Sequence, residues 1–140
     1  MTGYSIIIPV KEINDYLRES IPHLLALNYE NFEILILPNL EPSNMESIFF
    51  NERVKIITSG LVSPAIKRDM GAQQAKFEYL AFLDDDAYPT YEWLNVADKT
   101  FSDKNVVAIG GPGVTPPQSL LREKISGLFY ETLIGGGGLA

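Results

Sequence analysis

Residues 5–10 read Ser-Ile-Ile-Ile-Pro-Val, a continuous apolar run rich in β-branched side chains. A strand facing water on one side alternates polar and apolar residues, whereas a strand covered on both faces does not. The run therefore predicts a strand buried on both sides, as in a parallel sheet sandwiched by helices. Working outward, residues 32–37 (FEILIL), 54–58 (VKIIT), 79–83 (YLAFL) and 106–109 repeat the strand signal. Helical spacing falls between them. Leu17, Ile21, Leu24 and Leu25 follow a capping Asn14, and residues 42–50 leave room for a short helix. Ser63-Pro64 opens a helix to about residue 76, residues 90–101 read as another, and Pro116-Pro117 open a last one ending near Leu133. This alternation predicts an α/β fold: a Rossmann-like, doubly wound, mostly parallel sheet with helices on both faces.

Bulk properties agree. The chain has 140 residues, 46% apolar and 21% charged, as expected of a folded domain. No cysteine is present, which removes disulfides and thiolate metal sites from consideration. A formal charge of −7 argues against a nucleic-acid platform, whose affinity comes from neutralised phosphates. An acidic protein can still take a diphosphate through a bridging divalent cation. The start of the chain lacks a secretory leader pattern, and no apolar run reaches the roughly 18 residues needed to span a bilayer; a cytoplasmic location is expected.

In doubly wound sheets ligands bind beyond the carboxyl ends of the strands. Directly after the fourth predicted strand stands Asp84-Asp85-Asp86. Three adjacent carboxylates repel one another, and hard divalent cations prefer carboxylate oxygens. In extended backbone Asp84 and Asp86 would share a side and could share an ion. Taken alone, such a triplet is equally an acidic, solvated turn. On the preceding helix Arg68 could reach a pyrophosphate or orient the aspartates, its planar fork suiting oxyanions, although a lone surface cation more often pairs with a nearby acid. After the first strand, backbone groups of Pro9 and Val10 could read a base and Glu12 could accept from a ribose hydroxyl. The single histidine, His23, falls mid-helix. No G-x-S-x-G, G-x-G-x-x-G or G-x-x-x-x-G-K-[ST] motif occurs, and Gly110-Gly111-Pro112-Gly113 reads as a turn.

In order along the chain, SIIIPV, Asp15–Ser20 (DYLRES), Asn31–Leu37 (NFEILIL), Ile66–Gly71 (IKRDMG) and Glu78–Asp86 (EYLAFLDDD) together resemble the family 2 glycosyltransferases of GT-A fold, over roughly residues 4–95. Gly110–Pro117 and Ser126-Gly127 are similar to the stretch that follows the acidic motif in some bacterial and archaeal members. The resemblance implies an inverting transferase that uses a nucleotide-diphosphate sugar and Mg²⁺ or Mn²⁺. By it, Asp86 binds the metal, while Asp84 and Asp85 contact ribose or water on the ion. Arg68 helps hold the nucleotide, and Pro9, Val10 and Glu12 lie against base and ribose. Many members carry aspartates after the second strand, one accepting from the base; here Pro38-Asn39 stands, and Asn39 can accept through its carbonyl and donate through its amide.

The family's general base is a carboxylate well downstream, so it is expected beyond residue 140, together with the acceptor-binding part and any membrane-associating part. Residues 1–134 are then an incomplete nucleotide-sugar-binding domain and 135–140 a flexible glycine-rich tail. The acceptor is a saccharide or a lipid-linked group. Two rivals remain: a nucleotidyltransferase-like enzyme, which should carry a glycine-rich basic loop where PVKEIND stands, and a non-catalytic module binding a partner through its acidic rim.

Overall fold

The computed structural model describes residues 2–111. The chain divides after Lys104, residues 105–140 forming a second unit. The expected helix after Pro116-Pro117, the Ser126-Gly127 pair and the 135–140 tail lie outside the described residues.

The first unit runs β1 (Tyr4–Pro9), α1 (Asp15–Leu25), β2 (Phe32–Leu37), a 3₁₀ turn (Ser47–Phe50), β3 (Val54–Ile56), α2 (Pro64–Gln74), β4 (Tyr79–Phe82) and α3 (Trp93–Phe101). The four strands form one sheet in the order β3-β2-β1-β4, and every pairing is parallel. The chain thus steps outward from β1 through β2 to β3, then returns to place β4 on the other side of β1. That reversal opens a crevice between the carboxyl ends of β1 and β4, the position where doubly wound sheets take their ligands.

Both sheet faces are covered, which explains the unbroken apolar run in β1. Ile6, Ile8, Ile34 and Ile36 pack with Leu17, Ile21 and Leu24 of α1 and Leu94 of α3. The alternate residues Ile7, Leu35 and Leu37 face Met70 and Ala72 of α2. Full burial of each such side chain contributes about 1.5–3 kcal/mol of hydrophobic stabilisation. Gly71 sets the distance on the α2 side. A Cβ there would lie 2.6 Å from Ile7 Cγ2 and 3.2 Å from Leu37 Cδ1, so only glycine lets the helix come this close.

Helix starts follow the expected chemistry. Asn14 Oδ1 accepts from Leu17 N at 2.9 Å, and Ser63 Oγ from Ile66 N at 3.4 Å, with Pro64 at the first helical position. Three expectations need correction. The short helix in 42–50 is a single 3₁₀ turn. The helix expected from residue 90 begins at Trp93, after a turn in which Trp93 N bonds Thr90 O. Residues 106–109 carry no strand, and Val107 is 91% exposed. A strand exists through its ladder, and this apolar run has no ladder partner among the described residues. No helix among the described residues is long and apolar enough to cross a membrane.

Candidate nucleotide-sugar site

The acidic run sits at the crevice. Leu83 N continues the ladder by donating to Ile7 O at 3.2 Å, so Asp84 begins where β1 ends. The backbone then turns, Ala87 N bonding Asp84 O at 3.2 Å, and is not extended. Asp84 and Asp86 are therefore not set on one side by a strand's period of two, contrary to expectation. The three carboxylates are separated by different partners instead. Asp84 Oδ1 is ion-paired with Arg68 Nη2 at 2.7 Å. Half-buried Asp85 accepts from Asn14 Nδ2 at 2.5 Å. Exposed Asp86 has no hydrogen-bond or ion-pair partner among the described residues. This pair fits both the orienting part and the ordinary surface ion pair that the sequence left open for Arg68. Arg68 reaches Asp84 because α2 packs over β1 and β2 and its first turns stand above the same strand ends.

No group of three metal-ligating side chains gathers among the described residues, so a closed protein cage for a cation is not built there. One or two aspartate oxygens at a strand end fit Mg²⁺ or Mn²⁺ in another mode, completed by ligand phosphates and water.

The loop after β1 is built differently from the sequence expectation. Pro9 and Val10 are buried, and Glu12 is exposed. Val10 N donates to Leu37 O at 3.2 Å and is not left to read a base, while its carbonyl already accepts from Lys67. Glu12 stands at the rim and makes no hydrogen bond among the described residues.

Two contributors escaped the sequence reading. Lys67 is 3% exposed and joins the ends of β1 and β2: its Nζ donates to the carbonyls of Val10 and Leu37 and, at 2.6 Å, to Asn39 Oδ1. Burial lowers its pKa from the ordinary lysine value. The signal was its spacing from Gly71. Residues four apart share a helix face, and the glycine marks the face that touches the sheet. The second is Asn14, read only as a cap, whose amide also holds Asp85. His23, expected mid-helix without a catalytic part, stacks its ring on Tyr88 at 4.3 Å.

A strand-end aspartate cluster paired with Arg68 stands at the reversal point of a parallel sheet, the arrangement of the doubly wound α/β class. The family model for glycosyl transferase family 2 matches residues 5–134, and the chain belongs to that family. An uncharacterized glycosyltransferase of Rickettsia conorii is 27% identical over 110 residues, covering 76% of this chain and 18% of the relative. One of Haemophilus influenzae is 31% identical over 90 residues, covering 60% of this chain and 36% of the relative. The chain therefore spans well under half the length of these relatives. Among solved structures, S. aureus TarS 1-349 superposes with a TM-score of 0.59 at 20% identity, covering 80% of this chain and 39% of that one. The same protein in complex with UDP-GlcNAc gives a TM-score of 0.56 at 18% identity, covering 80% and 37%. The likeness shows the Rossmann-like GT-A fold expected from the sequence.

Proposed function

We propose that this chain supplies the donor half of an inverting glycosyl transfer, binding a nucleotide-diphosphate sugar with Mg²⁺ or Mn²⁺ at the crevice between β1 and β4. The observation that carries the reading is the aspartate turn at the carboxyl end of β4, anchored by Arg68 and Asn14 beside the end of β1. The TarS structures solved with UDP and with UDP-GlcNAc support a nucleotide-sugar donor. Asp86, exposed and without a partner among the described residues, is assigned as the principal metal ligand, with the outer oxygen of Asp84 beside it. A bound divalent cation supplies positive charge against the charge that builds on the leaving diphosphate.

The remaining work belongs to the chain's own groups. Arg68 holds Asp84 in place, and its guanidinium stays close enough to the acidic turn to offset repulsion as a diphosphate arrives. Asp85, fixed by Asn14, contacts the ribose. Glu12 at the rim of the β1 loop offers a second acceptor to ribose hydroxyls, and Asn39 meets the base. Deprotonation of the acceptor hydroxyl is assigned to a carboxylate outside the described residues.

Calorimetric titration with UDP in Mn²⁺ tests the assignment. Binding is expected to need the metal and to fall at least about tenfold in Asp86→Ala, the loss of one charge-assisted contact. Equal affinity with and without Mn²⁺, unchanged in Asp86→Ala, would remove the metal role.

A further inference from the structure

The carboxyl ends of β1 and β2 are joined by a buried cation that forms no ion pair among the described residues. Lys67 Nζ faces three oxygens: the carbonyls of Val10 and Leu37, the latter at 3.1 Å, and Asn39 Oδ1 at 2.6 Å. An ammonium has three donors and no acceptor, so these three oxygens saturate it. The same fact settles which way the Asn39 amide is turned. Only its carbonyl oxygen can face Lys67; the reverse would set an NH₂ against an NH₃⁺.

Asn39 is then left with one kind of free group. Its backbone N donates to Lys11 O at 3.1 Å, and its backbone carbonyl accepts from Gly60 N at 3.0 Å. Its Oδ1 is taken by Lys67, while Nδ2 makes no hydrogen bond among the described residues. The side chain is half-buried between the loops that follow β1 and β3, on the ligand side of the sheet.

We propose that Lys67 locks the Asn39 amide as a donor-only contact, so that this end of the site recognises a nucleobase through an acceptor atom on its edge. The proposal rests on the nucleotide-sugar reading above and goes further, naming the residue that sets the polarity of base selection. Uracil and cytosine differ at two edge positions: ring nitrogen N3 donates in uracil and accepts in cytosine, and the group on C4 does the opposite. A donor-only amide separates the two bases whichever position it meets. An amide free to turn over accommodates both.

The test measures UDP and CDP affinities of the full chain in Mn²⁺. Wild type is expected to bind one at least roughly tenfold tighter than the other, the effect of one mismatched buried hydrogen bond. Asn39→Asp keeps one oxygen on Lys67 and turns an acceptor-only oxygen outward, so the preference reverses. Lys67→Met fills the same space without donors, frees the amide, and brings the two affinities within about threefold. Circular dichroism confirms that each variant folds; if Lys67→Met does not, the reversal in Asn39→Asp decides the matter. Equal wild-type affinities, an unreversed preference in Asn39→Asp, or an unchanged ratio in a folded Lys67→Met overturn the proposal and leave nucleotide binding standing. Failure of wild type to bind either diphosphate overturns the donor reading, and this proposal with it.

Discussion

Lys67 and Gly71 divide the α2 face between them, one bringing charge to the strand ends and the other allowing the helix close enough to do so. In Gly71→Ala the new methyl group meets Ile7 Cγ2 at 2.6 Å, so the helix must retreat or the isoleucine must leave its rotamer. Overpacking of this kind costs about 1–3 kcal/mol, to be read as a lowered urea midpoint with unchanged slope. Lys67 should leave its mark on pH dependence. Burial lowers its pKa in the folded chain, so there is an alkaline range in which the unfolded chain binds a proton the folded chain has released. Stability rises with pH wherever the unfolded state holds more protons. Wild type should therefore gain stability relative to Lys67→Met as pH rises from neutral toward the ordinary lysine value of about 10.4, measured by denaturant melts across that range. A flat difference would mean that the ammonium is no harder to bury than to solvate. Neither residue declared its partners in the sequence. Asn39 lies 28 positions from Lys67 and the Val10 carbonyl 57, separations that local patterning does not reach.

The elements themselves were more legible, because each carries its own period. The strand at residues 5–10 shows itself by apolar continuity, and α1 by its stripe and its Asn14 cap. The acidic run stands at a strand's carboxyl end, as its place in the sequence indicates, but its backbone turns there. Period two holds only where the chain stays extended, and the Ala87-to-Asp84 bond ends that. Asn14 connects two elements, capping α1 with Oδ1 while Nδ2 holds Asp85. The two tasks separate by substitution. Asn14→Ala should lose about 0.5–2 kcal/mol of stability with the cap, and weaken metal-dependent UDP binding as well. Asn14→Ser retains a capping oxygen but not the reach to Asp85, so its melting temperature should stay near wild type while binding still weakens. If both properties fall together in Asn14→Ser, the two contacts are not independent.

At the scale of the molecule, sheet order follows from burial. β1 and β2 are buried almost throughout and lie inside; β3 and β4 are shorter, partly exposed, and lie at the rims of the sheet formed by the described residues. That much is foreshadowed by composition alone. What the sequence cannot carry is whether a run such as 106–109 finds a neighbour to pair with, since a strand is a property of two segments.

The placement of inner and rim strands has a further consequence for how the site yields. Backbone amides of β1 and β2 have a ladder on either side and should exchange with deuterium last, opening only near the global unfolding free energy. Amides of β4, which has a single neighbour among the described residues, should exchange sooner. Val10 and Asn39 hang from the slow pair and the aspartate turn from the faster strand. The ligand would then be gripped between a wall that stays fixed and a rim that breathes.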